Sequence, residues 1–190
     1  TDFMTRVDRL MELARDSLEI KRKILERFTE NELYPYAKSY LESVHSQFGE
    51  YWHNHFATIG LVGMNEACLN FLGRDIGSRR GQALAGHVLG HMRERLSEFQ
   101  ETTGHVYNLE ATPAEGTSYR LSRIDREQHP QIITAAEEES EPFYTNSTQL
   151  PVGYTTDIFR ALALQDDLQA KYTGGTVQHV YLGESAPNAE

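Results

Sequence analysis

A chain of 190 residues, 39% hydrophobic and 24% charged, is long enough to bury one real core and has the composition of an ordinary globular domain. Its formal net charge of −10 excludes a general nucleic-acid or anionic-membrane surface, because those partners require a basic face, but a phosphate-bearing small molecule needs only a local positive site. The single cysteine, Cys68, excludes an internal disulfide, a cysteine-based zinc site and a secreted disulfide scaffold, and with no apolar run of about 18 residues the expected home is cytoplasmic. The opening Thr1-Asp2-Phe3-Met4 enters helical periodicity without a signal peptide, as in a chain that begins inside a larger protein.

Phe3, Val7, Leu10, Met11, Ala14, Leu18 and Leu25 recur at helical spacing and predict a long first helix, with Glu19 and Lys23 placed four apart for a surface ion pair. Its charged residues as far as Glu30 read as a solvated face. Asn31-Glu32-Leu33-Tyr34-Pro35 breaks the helix, since the residue before a proline is pushed out of helical conformation. The apolar run Phe56 to Val62 predicts a strand buried on both faces. Gly63-Met64-Asn65-Glu66 then turns into a short helix that carries Cys68 and ends near Gly73. Gln82 to Thr103 predicts an amphipathic helix with Leu84, Val88, Met92, Leu96 and Phe99 on one stripe, stopped by Gly104.

A strand at Val106–Glu110 and a helix from Pro113 to Arg126 come next. Residues His129 to Pro142, with Glu137, Glu138, Glu139 and Glu141 close together, read as an exposed acidic loop. A helix from Thr156 to Tyr172 and a last strand from Thr176 to Leu182 complete the chain. Strands alternating with helices indicate an α/β fold with a mostly parallel sheet, open or closed into a barrel. Ligands of such sheets sit beyond the carboxyl ends of the strands, where the turns Thr112–Ser118 and Thr145–Gln149 would fall.

The strand-to-helix turn at Asn108–Arg120 carries the main functional signal. The first helical N–H groups have no intrahelical acceptor and the helix dipole is positive there, so a phosphate can occupy that end. Gly116 lets the backbone come close, and Arg120 and Arg123 raise the local potential. A plain cap explains the same residues: Thr112 as N-cap, Pro113 at the first helical position and Glu115 at the third form a capping box. His53-Asn54-His55 and His87…His91 have spacings a metal can use, but no cysteine or carboxylate completes a recognised ligand set, and ordinary histidines are expected. Cys68 has no base tied to it and reads as a small buried hydrophobe. Gly174-Gly175 reads as a C-cap and turn. No Walker loop, dinucleotide fingerprint or nucleophile elbow is present.

Four blocks together resemble the anaerobic (class III, oxygen-sensitive) ribonucleoside-triphosphate reductases of the glycyl-radical group. They are Thr58-Ile59-Gly60-Leu61-Val62-Gly63-Met64-Asn65-Glu66, then Leu109 to Leu121 around Glu110-Ala111-Thr112-Pro113-Ala114-Glu115-Gly116-Thr117-Ser118, then Tyr144-Thr145-Asn146-Ser147-Thr148-Gln149-Leu150-Pro151-Val152-Gly153, and Leu168 to His179 around Lys171-Tyr172-Thr173-Gly174-Gly175. The resemblance implies that residues 1–190 are a single incomplete domain, a slice from the second half of a ten-stranded α/β barrel with mostly parallel strands and long flanking helices. Enzymes of that kind use a stored glycyl radical to form a cysteine thiyl, which abstracts the 3′-hydrogen of a ribonucleoside triphosphate. The 2′-hydroxyl leaves as water and formate is commonly the reductant.

By the same resemblance, Thr112, Ala114, Glu115, Gly116, Thr117 and Ser118 form a substrate-phosphate loop, with Asn146 and Ser147 lining the pocket. Implied partners are the ribonucleoside triphosphate, the rest of the parent chain, a radical-SAM activating enzyme and a second copy in a homodimer. The family's thiyl cysteine lies in a Met-Gly-Cys-Arg-Thr finger loop that is absent here, and Cys68 does not correspond to it. The radical glycine and the zinc-binding cysteines are also absent. No cofactor or metal is therefore expected on this segment, and glycyl radical, structural zinc and formate belong to the parent. The alternatives are a non-catalytic nucleotide-binding or scaffold module, or a piece of another glycyl-radical enzyme such as a formate-lyase relative.

Overall fold

The computed structural model describes residues 2–135 and 141–179. These divide into two compact units: one takes in the chain up to Ile59 together with Val88–Glu110, the other Gly60–His87 and the chain from Ala111 onward.

The first unit is built on α1 (Asp2–Glu30), as periodicity predicts, but the face it buries is largely polar. Met11, Arg22 and Thr29 are its buried residues, whereas Leu10 is 66% exposed. Arg22 and Glu26 turn toward the segment that follows α2 (Pro35–Tyr40) and α3 (Glu42–Phe48). The Arg22 guanidinium donates to the carbonyls of Trp52 and His55, the latter at 2.7 Å. Glu26 accepts from the N–H groups of Tyr51 (2.9 Å) and Trp52 (2.6 Å), and the Trp52 indole donates to the Thr29 hydroxyl at 2.9 Å. The Tyr51 and Trp52 N–H groups and the Trp52 and His55 carbonyls are thus satisfied by side chains of α1 instead of by a ladder. Glu19 also turns inward, accepting from the Tyr107 phenol at 2.6 Å and lying 2.8 Å from His105 Nδ1. The expected Glu19–Lys23 surface pair is replaced by these longer-range contacts.

α1 ends at Glu30, ahead of left-handed Glu32 (φ 62°), where the Leu33 N–H returns to the Phe28 carbonyl at 2.9 Å; Pro35 instead begins α2, in a first-turn position that needs no N–H. β1 (Ala57–Gly60) and β2 (Tyr107–Glu110) form a two-stranded parallel sheet. The expected strand from Phe56 to Val62 is shorter and one-sided: Ala57 and Ile59 are buried while Thr58 and Gly60 are exposed. It stops because the chain is pulled out of the ladder, the Gly63 and Met64 N–H groups donating to the carbonyls of Thr145 (2.8 Å) and Ser147 (3.1 Å). Among the described residues the alternation yields a sheet of two parallel strands and not of many. Among the described residues the chain is mostly helical, with two strands.

α4 (Met64–Leu72) starts after left-handed Gly63 and ends at left-handed Gly73, and α5 (Arg79–Thr103) ends at left-handed Gly104, positions at which a side chain would be strained. The predicted α5 stripe is the buried one: Val88, Met92, Leu96 and Phe99 are in the core. In the second unit α6 (Glu115–Gln128) and α7 (Ile158–Gln169) follow. α7 starts two residues later than predicted because Asp157 is its N-cap, accepting from the N–H groups of Phe159 and Arg160. The expected final strand is absent over 176–179. Gly175 makes an isolated bridge, its carbonyl accepting from Ala111 N–H at 3.0 Å, and the Gln149 side chain then takes the Val177 carbonyl at 2.7 Å, where a strand partner would stand. Residues 180–182 of that strand and Glu137, Glu138 and Glu139 of the acidic loop lie outside the described residues.

Candidate functional site

The turn at 111–114 leads into α6 with Ala114, not Thr112, as the residue before the helix. Ala114 has φ 48° and ψ 39°, and no side chain caps the helix. The expected capping box does not form, because its register would put Pro113 inside a helix that begins two residues later. Glu115, Gly116 and Thr117 are exposed, and a Cβ placed on Gly116 would meet nothing within 4 Å. The N–H of Ser118 returns to the Ala114 carbonyl at 2.8 Å. The first helical N–H groups thus stand at an open helix start, the condition under which an anion is favoured.

Ser118 is buried and its hydroxyl is committed within the fold. It donates to the Tyr144 carbonyl (2.5 Å) and accepts from the Tyr144 N–H (2.8 Å). One turn on, the Ser122 hydroxyl reaches the Pro142 carbonyl at 2.7 Å, and a further turn on Asp125 accepts from the Tyr144 phenol at 2.7 Å. Side chains at i, i+4 and i+7 of α6 therefore stitch one helical face to the chain that enters the second predicted turn. Burial and the bond to Asp125 both push the Tyr144 phenol upward, so it stays a neutral donor.

The second turn, Thr145–Gln149, is anchored to Glu66, which is 1% exposed. The Glu66 carboxylate accepts from Asn65 Nδ2 (2.8 Å), Thr145 N–H (2.9 Å) and the Thr145 hydroxyl (2.7 Å). Three donors around one buried carboxylate meet the rule that a buried charge must be hydrogen-bonded. Ser147 sits at φ 44°, and its hydroxyl and that of Thr148 both meet the Tyr172 phenol, at 2.6 and 2.9 Å. Asn146 is half-buried and its carbonyl accepts from Gln149 N–H at 2.9 Å. The conformation of 145–149 is thereby set by Glu66 and Tyr172, two residues that sequence reasoning did not assign a role. Both lie inside the blocks that carry the family resemblance, which was the only sequence signal for them.

Cys68 is fully buried, its sulfur 3.8 Å from the Gly81 carbonyl. Burial, then the charges of Asp75 and Glu66, push its thiol up to about 11, the opposite of an activated nucleophile. A cysteine-based zinc site does not fit this chain, which has one cysteine. The His53/His55 and His87/His91 pairs do not act as pairs. His91 Nε2 lies 2.7 Å from Asp8, and His55 packs edge-on to Trp52. His53 joins Glu50 and His105, a grouping of residues far apart in sequence.

The whole chain, residues 1–190, matches the family described as anaerobic ribonucleoside-triphosphate reductase. It is 29% identical over 132 residues to the anaerobic ribonucleoside-triphosphate reductase of Enterobacteria phage T4, covering 69% of this chain and 20% of that protein. It superposes on the anaerobic ribonucleotide reductase from Thermotoga maritima solved with MES in the active site, at a TM-score of 0.70 and 24% identity, over 98% of this chain and 30% of that one. A structure of the same enzyme in complex with dATP and CTP gives a TM-score of 0.54 at 22% identity, over 86% of this chain and 27% of that one. The chain thus spans about a fifth of the curated relative and under a third of the solved ones. No helix among the described residues is long and apolar enough to cross a membrane.

Proposed function

Because the chain belongs to the anaerobic ribonucleoside-triphosphate reductase family, we propose that it forms part of a reductase that converts ribonucleoside triphosphates to deoxyribonucleoside triphosphates. Within that enzyme it supplies barrel strands and the loop that seats the substrate's phosphates. The carrying observation is the open start of α6, preceded by left-handed Ala114 and capped by no side chain. The N–H groups of Glu115, Gly116 and Thr117 and the Thr117 hydroxyl are the phosphate donors, and Gly116 leaves room for close approach. Ser118 acts as a positioning residue, since its hydroxyl holds the helix to Tyr144. Thr145–Ser147 forms the adjoining wall, with Asn146 facing the nucleotide. The T. maritima relative solved with dATP and CTP makes a nucleoside triphosphate the natural ligand class.

On this reading the thiyl cysteine and radical glycine lie elsewhere in the parent protein, which works with formate as reductant, an activating enzyme and a second protomer. This chain's contribution is to bind and orient the triphosphate, so that remote binding energy fixes the ribose against the reacting groups. The test uses the intact reductase carrying this segment, kept free of its radical, and calorimetric titration with CTP. Gly116→Val blocks the approach of a phosphate and Thr117→Ala removes one donor. Each lost bond to a charged oxygen weakens binding by about 1.5–3 kcal/mol, roughly ten- to a hundred-fold in Kd. If both variants fold and bind CTP as tightly as the parent, the phosphate assignment is wrong.

A further inference from the structure

We propose that Glu50, His53 and His105 form a binding site for a divalent transition-metal ion of the zinc type, with Glu19 orienting His105. All four residues lie in the first unit and come from three separate stretches: Glu19 from α1, Glu50 and His53 from the turn after α3, and His105 from the connection between α5 and β2. The site is independent of the phosphate turn.

One ligand atom from each of Glu50, His53 and His105 lies within 4.8 Å of the other two. The Glu50 carboxylate oxygen is 3.1 Å from His105 Nε2 and 3.6 Å from His53 Nδ1. With metal–ligand lengths of about 2.0–2.2 Å, tetrahedral neighbours stand about 3.3–3.6 Å apart. The two edges that meet at the Glu50 oxygen are therefore close to those of a zinc tetrahedron, the third edge is within 4.8 Å, and side-chain rotations suffice to close it. Two imidazoles and one carboxylate suit zinc and its first-row neighbours, whereas calcium and magnesium take all-oxygen sets.

The surrounding contacts are those a metal-bound histidine requires. His105 presents Nε2 to the cluster while Nδ1 lies 2.8 Å from Glu19, the carboxylate–histidine arrangement that fixes the tautomer and ring orientation of a ligand. Glu19 is itself held by the Tyr107 phenol at 2.6 Å. The His53 ring is stacked on Phe48, with centroids 4.2 Å apart and planes at 15°, so its plane is also set. Both imidazoles converge on the same Glu50 oxygen, the arrangement that a cation shared by the three side chains produces. The side chains of His53, Glu50 and His105 keep 28%, 43% and 14% of their exposure, leaving a path for the ion and an open fourth position for water.

The experiment titrates the 190-residue chain with cobalt(II), followed by its visible absorption, and with zinc(II) against a chromophoric chelator. One equivalent of each metal is expected, with the intensified cobalt bands of a low-coordinate site. His53→Ala and His105→Gln each weaken zinc by a hundred-fold or more, and Glu19→Gln by roughly ten- to a hundred-fold. His87→Ala, at an exposed position outside the cluster, leaves affinity unchanged. Circular dichroism checks the helical content of each variant, and His53→Ala decides the outcome if His105→Gln fails to fold. Absence of saturable one-equivalent binding, or zinc affinity unchanged in folded His53→Ala, overturns the proposal.

Discussion

Replacing Glu66 by glutamine changes one oxygen to an amide nitrogen at almost constant volume, which isolates the role of its charge. In the native chain one carboxylate oxygen accepts from Asn65 Nδ2 and the Thr145 hydroxyl, and the other from the Thr145 N–H. A glutamine that keeps its carbonyl on the first two must point its NH2 at the Thr145 N–H, donor against donor. One charge-assisted bond worth about 1.5–3 kcal/mol is lost, and a buried N–H is left without an acceptor. The expected destabilisation is about 2–4 kcal/mol, or roughly 4–16 °C in melting temperature for a domain of this size. Glu66→Ala, which orphans all three donors, costs more than Glu66→Gln. Urea denaturation gives the global value, and hydrogen exchange at the Thr145 amide reports the local opening. A loss below about 0.5 kcal/mol, with Thr145 still protected, would refute the assignment of Glu66 as the anchor of the 145–149 turn.

The remaining predictions concern the thiol and the outer face. The Cys68 thiol is raised from 9.0 to about 11, so between those values the unfolded chain has lost a proton that the folded chain retains. Stability therefore falls as pH rises through this window, by about 1.4 kcal/mol per unit, and Cys68→Ala removes that part of the slope. Denaturant melts at pH 8 and pH 10 test it, and an equally steep loss in the variant would count against it. Leu10, Leu13 and Ile20 of α1 are 66%, 58% and 58% exposed, an apolar stripe that sibling segments of a larger enzyme would cover. The isolated chain should self-associate, and a monodisperse monomer by light scattering at tens of micromolar would contradict this.

The long helices were legible because a 3.6-residue period sustained over several turns leaves few alternatives, as in the buried Val88, Met92, Leu96 and Phe99 of α5. Glycine stops at Gly73 and Gly104 were legible because their left-handed φ is a local steric demand. Strand extent was not. An apolar run records burial but not whether a ladder partner exists, and Leu61-Val62 leaves the sheet ahead of Gly63 and Met64, whose N–H groups meet the Thr145 and Ser147 carbonyls. The cap at Thr112–Glu115 misled because its motif fits two registers, and packing of Ser118 on Tyr144 selects the later one. α2 and α3 are too short for periodicity to register. The Glu50–His53–His105 cluster and the anchoring of Thr145 by Glu66 join residues 52 and more positions apart, information held by the fold and not by spacing. The strand-to-helix turn ahead of α6 was legible because its signal is local.

The polar seam of α1 bears on how the helix finds its place. Arg22, Glu26 and Thr29 lie at i, i+4 and i+7 on one face and each addresses a different atom of the 51–55 segment. Apolar side chains would tolerate a slide of one helical turn with little change in buried area, because greasy surfaces do not distinguish neighbouring depths. A guanidinium that must meet carbonyls and a carboxylate that must meet N–H groups do distinguish them. Sliding by about 5.4 Å along the axis would present Arg22 to donors in one direction, or Glu26 to acceptors in the other. The helix is thus indexed like a key cut for one depth, and its exposed apolar stripe arrives at a fixed height and angle for whatever lies beyond.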